Sequence, residues 1–141
     1  MYGYVLQDWI TIRGSSIADV IQGESSWMGF SSFQDIVIWL DVREATFPTT
    51  SGSLTWYYET SPTKDNNLFT PMVNNNLTSL TPGVQTLQKV ILASGPSVPL
   101  ATWVRWRLSP AGSGGLPWDA TFRVLAAANR VVRGNQMGAF A

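Results

Sequence analysis

The chain contains no cysteine and no histidine. Without thiols it forms no disulfide and offers no thiolate, and its redox compartment cannot be read from it. Without imidazole it lacks the commonest general base, the commonest zinc ligand and every Ser–His or Cys–His dyad. Charge is also scarce: 13% of residues are charged, against roughly 25% in an average soluble domain. A surface so poor in charge is covered by Ser, Thr, Asn, Gln and Gly, or by a partner. With seven Trp, this composition suits a subunit that buries much of its outside in an assembly. No stretch approaches the ~18 apolar residues of a membrane span. The opening segment Met1–Asp8 lacks the basic n-region and apolar h-region of a signal peptide.

What the chain has is period-two alternation. Leu100–Leu108 (Leu-Ala-Thr-Trp-Val-Arg-Trp-Arg-Leu) sends Trp103, Arg105 and Arg107 to one face and Val104, Trp106 and Leu108 to the other. This places Val104 and Trp106 in a core. It leaves Arg105 and Arg107 to meet acidic groups of the first half, and Trp103 to meet a partner. Gln34–Arg43 alternates most cleanly, with Ile36, Ile38, Leu40 and Val42 as its core face. Leu54–Glu59 sets Leu54, Trp56 and Tyr58 against Thr55, Tyr57 and Glu59. Asp8–Arg13, Gly83–Ala93 and Asp119–Ala127 are further strands. Leu68–Val73 is an edge strand interrupted by Pro71, and Ser15–Ile21 fits a helical turn or a short strand. Turn-forming clusters separate these runs about every ten residues. Such spacing predicts an all-β, single-domain, jelly-roll-like sandwich of about eight short antiparallel strands. The domain is expected over residues 1–128, with a C-terminal tail or arm over 129–141. Gln34–Arg43 and Leu54–Glu59 read as an antiparallel pair. Ala101–Leu108 and Ala120–Ala127 read as a closing hairpin that gathers Arg105, Arg107 and Arg123.

Formal charge balances to zero but is unevenly placed. Residues 1–65 carry eight acidic and three basic groups; residues 66–141 carry six basic groups and Asp119. Interleaved strands would cancel much of this. Uncancelled, it would make a dipolar subunit fit for head-to-tail contacts.

Candidate chemistry is sparse. Asp41 and Glu59 could flank a cleft as a glycosidase pair, yet each has an arginine to pair with, so structural ion pairs are expected. Asp65, Asn66 and Asn67 supply oxygens but lack calcium-loop spacing, so a side-chain-capped turn is expected. Gly112–Gly115 lacks the strand–helix context of a phosphate loop. Trp39, Trp56, Tyr57, Trp103 and Trp106 would have to line one face to form a sugar platform. Nucleic-acid binding has no basic run to support it. No catalytic, metal or cofactor site is assigned.

Leu54–Pro62 (Leu-Thr-Trp-Tyr-Tyr-Glu-Thr-Ser-Pro), Pro99–Leu108 and the Thr-Phe-Arg-Val run at Thr121–Val124 resemble β-sandwich structural proteins of tailed bacteriophages. These include capsid decoration (cement) proteins and related head or tail accessory proteins. The resemblance covers about the last two thirds of the chain. It implies a non-enzymatic virion protein without cofactor, assembled in the bacterial cytoplasm, that binds the assembled capsid and stabilises it. Its partners would be the major capsid protein or other virion subunits. Homo-oligomers, a trimer among them, are expected; nucleic acid and membrane are not. Partner contact is expected at Tyr2, Tyr4, Asp65, Asn66, Trp103, Arg130, Arg133 and Phe140. A carbohydrate-binding module or a receptor-binding tail domain is the alternative.

Overall fold

The computed structural model describes residues 2–15, 17–46, 53–72, 83–90, 100–111 and 117–130. These residues form nine strands: β1 (Tyr2–Gly14), β2 (Val20–Ile21), β3 (Met28–Gly29), β4 (Phe33–Thr46), β5 (Ser53–Ser61), β6 (Thr70–Pro71), β7 (Gly83–Val90), β8 (Trp103–Ala111) and β9 (Trp118–Arg130). Two short 3-10 turns, Glu24–Ser26 and Asn66–Leu68, lie between them. One sheet has the order β1-β9-β4-β7. The other has the order β2-β8-β5-β6, with β3 also on β8. Every pairing is antiparallel. The molecule is an all-β sandwich.

Alternation explains which face of each strand turns inward. Ile36, Ile38, Leu40 and Val42 of β4 are buried, as are Leu54, Trp56 and Tyr58 of β5 and Val104, Trp106 and Leu108 of β8. On β9 the inward positions are Trp118, Ala120, Phe122, Val124, Ala126 and Ala128. The three alanines are small where the facing sheet is bulky, which is how two layers interdigitate. At the centre, Trp56 stacks on Trp106 with centroids 5.2 Å apart. Phe122 reaches across from the other sheet to meet both edge-on, at 4.7 and 5.1 Å. Such aromatic pairs contribute about 0.5–1.5 kcal/mol each beyond their burial. Gly14 closes β1 where it must be glycine: a Cβ there would sit 2.7 Å from the buried Trp118 ring.

Two expected pairings are corrected. β4 and β5 do not pair; β4 lies between β9 and β7, and β5 lies between β8 and β6. Nor do β8 and β9 form a hairpin, because each belongs to a different sheet. The chain crosses from one layer to the other at both connections. Alternation identifies an inward face but not the sheet that supplies it, so neighbours in sequence need not be neighbours in hydrogen bonding. Arg105 and Arg107 therefore lie on one outer face and Arg123 on the other. The edge strand expected over Leu68–Val73 is present in part as β6, paired among the described residues with β5, and Ser15–Ile21 resolves to the short strand β2. β9 runs on through Asn129 and Arg130.

Candidate functional site

The densest polar cluster lies on the outer face of the β8–β5 sheet. The antiparallel register sets Glu59 opposite Arg105 and Tyr57 opposite Arg107. Arg105 Nε donates to Glu59 Oε1 at 3.0 Å, and Arg107 Nε donates to Oε2 at 3.1 Å. Arg107 Nη1 also donates to Asp19 Oδ2 at 2.7 Å, while the Ser109 hydroxyl donates to Asp19 Oδ1. Arg105 Nη1 donates to Asn66 Oδ1 at 2.6 Å. Its guanidinium lies 3.9 Å from the Phe69 ring centroid and 4.9 Å from that of Trp27. Arg107 lies 4.0 Å over Tyr57.

Glu59 and Arg105 are 3% and 4% exposed. Charges so deeply buried persist only when paired and hydrogen-bonded, and here both carboxylate oxygens are used. Desolvation works against the charge on Arg107, but Glu59 and then Asp19 outweigh it and hold its pKa above the ordinary arginine value. The cluster locks loops onto a sheet. The second carboxylate considered with Glu59, Asp41, accepts from Arg123 Nε at 2.8 Å on the opposite outer face. The two carboxylates do not flank a cleft, and the structural ion pairs expected for both are present. Among the described residues no group of three Asp or Glu side chains could hold a metal ion.

Gln22 is the residue the sequence did not announce. It is 2% exposed and joins the two layers. Its Nε2 donates to the carbonyls of Leu6 and Ser26, and its Oε1 accepts from Trp106 N. Its own carbonyl accepts from Trp27 Nε1 at 2.7 Å. A lone glutamine between Ile21 and Gly23 carries no local signal for this role, since its partners lie up to 84 positions away. For Arg105 a signal existed: a cation recurring in an otherwise aromatic and apolar alternation.

The other outer face, which carries the Arg123–Asp41 pair, has an apolar patch. The cross-strand row Val5–Leu125–Trp39 lines a shallow groove of about 400 Å³ together with Gly3 and Ala127. Val5 is 56% exposed. On the same face Trp9 lies beneath two guanidiniums, Arg43 at 4.2 Å and Arg123 at 5.0 Å.

Several expected partner residues gather at one end of the sandwich. Phe30 is the junction: its N–H donates to Thr102 O, and its ring meets Tyr4 and Phe33 edge-on at 5.6 and 5.5 Å. Tyr4 also packs on Phe33, which in turn lies under Arg130 at 5.9 Å. Trp103 pairs with Gly29 and Ser61 beside this junction. It is half-buried, with the Lys64 ammonium 5.1 Å from its ring centroid. Asp65 and Asn66 follow on the same loop; both are exposed, and both side chains are engaged within the chain. Asp65 Oδ1 accepts from Asn67 N at 3.0 Å, the capped turn expected there, and Asn66 serves Arg105. Tyr2 contributes backbone pairing with Ala128; its side chain, Arg133 and Phe140 lie outside the described residues. The five aromatics of a sugar platform are dispersed: Trp56 and Trp106 are core, Tyr57 lies under Arg107, and Trp39 is on the far sheet.

No family model matches the sequence, and no curated protein does. Among solved structures, the fold is similar to part of the VP2 subviral particle of infectious bursal disease virus. The identity is 12% over 99% of this chain, with a TM-score of 0.54. A structure of the Gx strain of the same virus aligns over 93% of this chain at 10% identity and a TM-score of 0.44. The chain spans about a third of the length of each. The likeness is one of fold.

Proposed function

We propose that this chain is a non-enzymatic structural subunit of a virus particle, acting as a capsid decoration protein that binds an assembled shell and stabilises it. The observation that carries the reading is strand order. β2 and β3 share the same neighbour and count as one position. The sheets then read first-eighth-third-sixth and second-seventh-fourth-fifth. That is the order of a jelly roll, an architecture recurrent in viral capsid and lectin domains. The VP2 likeness in fold supports the viral branch. Dispersal of the aromatic rings removes the support that the carbohydrate-binding alternative had. Scarce charge and an apolar outer groove support burial in an assembly.

The mechanism is linkage. A protein that binds only the assembled lattice raises the lattice's stability by mass action. The end of the sandwich around Tyr4, Phe30, Trp103 and Arg130 is the contact region proposed, extended by Arg133 and Phe140 in a terminal arm. A bacterial host, an oligomer and the major capsid protein as partner belong to the same proposal. Co-sedimentation of the purified protein with shells of its accompanying major capsid protein tests it. Saturable binding and a raised shell melting temperature are expected. Absence of binding, together with a monomer at every concentration, would overturn it. Retention on a glycan array would favour the sugar reading instead.

A further inference from the structure

We propose that Arg105 ties two separate surface segments, residues 22–29 and 62–72, into one clip, so that opening either segment loosens both. Each segment has its own backbone closure. In the first, Ser26 N donates to Gly23 O and Trp27 N to Glu24 O. In the second, Leu68 N donates to Asp65 O. Neither has a long strand of its own: β3 and β6 are two residues each. Both are tied to the same central pair of strands. Gln22 N donates to Trp106 O, and Met72 N donates to Tyr58 O.

The link between them is an edge-on ring pair beneath one guanidinium. Trp27 from the first segment meets Phe69 from the second, with ring centroids 4.8 Å apart. The Arg105 guanidinium lies over both rings. Glu59 holds Arg105 from the sheet, and Asn66 holds it from the second segment. Lifting Phe69 and Asn66 away strips Arg105 of one ring and one hydrogen bond. It also opens the cover over Trp27. Lifting Trp27 uncovers the same guanidinium from the other side. A buried cation tolerates neither loss cheaply, so the two segments open together rather than in turn.

Hydrogen exchange on the full chain tests the coupling. Phe69→Ala is expected to speed exchange at the Trp27 amide and at the Leu68 amide by a common factor of about tenfold, with β9 amides unchanged. Faster exchange at Leu68 alone would overturn the proposal. Where Phe69→Ala unfolds the domain and β9 loses protection too, Asn66→Ala decides. Asn66 is exposed, and its side chain touches Arg105, not Trp27. Faster exchange at Trp27 in that variant supports the clip, and unchanged exchange there overturns it.

Discussion

Glu59 gives the sharpest energetic prediction. Replacing it by alanine leaves Arg105, 4% exposed, without its carboxylate, although the Asn66 contact and the two rings remain. Arg107 is more open and keeps Asp19. Removing one partner of a buried pair costs about 3–5 kcal/mol, because the surviving charge stays buried and unpaired. That is a large fraction of the roughly 5–15 kcal/mol that holds a domain folded. Glu59→Gln preserves volume and one acceptor, so about 2 kcal/mol is expected. The control is Asp41→Ala on the opposite face. Its partner Arg123 is 39% exposed at the side chain, and an exposed pair is worth about 0.5 kcal/mol. Urea denaturation followed by Trp fluorescence measures all three. With a slope of about 2 kcal/mol/M, Glu59→Ala should lower the midpoint by about 2 M, without changing the slope. If Glu59→Ala and Asp41→Ala differ by less than about 1 kcal/mol, the burial reasoning is wrong.

Gly14→Ala should destabilise by about 1–3 kcal/mol, because its methyl group would enter the buried Trp118 ring; an unchanged melting temperature would contradict this. Tyr58 is buried with its hydroxyl unpartnered among the described residues, and burial pushes its pKa well above the ordinary value, against a smaller opposing effect of Trp56. Its native state therefore keeps a proton that the unfolded state releases near pH 10. Stability linked to Tyr58 is complete below that pH and falls as pH rises above it, by about 1.4 kcal/mol per unit. Tyr58→Phe should abolish this part of the alkaline slope, measurable by melting between about pH 9 and 11. Deleting residues 131–141 should weaken particle binding while leaving the denaturation midpoint unchanged. The cut belongs after Arg130, because Asn129 lies in β9 and bonds Asp35.

Much of the sandwich was legible because its signal is local. A strand sends alternate side chains to opposite faces whatever its neighbours are. Ile36 to Val42, Leu54 to Tyr58 and Val104 to Leu108 could thus be assigned inward faces from their own residues. The site was less legible. The carboxylate–arginine contacts of Glu59 are the ion pairs expected from the sequence, but the cluster of Trp27, Arg105 and Phe69 joins three segments with nothing in common locally. The contact of Lys64 with Trp103 carried no local signal either, since 39 positions separate the two.

The amino-acid sequence by itself determined the all-β class, the inward faces of the long strands and the lack of thiol and imidazole chemistry. Each of these depends on composition or on a two-residue period. Only the tertiary structure decided that β4 and β5, and likewise β8 and β9, part into different sheets. It alone decided that Gln22 bridges the layers and that Arg105 sits between two loops. Those outcomes depend on which long-range pairing buries the most apolar surface while satisfying every buried charge, and that is a property of the whole chain rather than of any stretch of it.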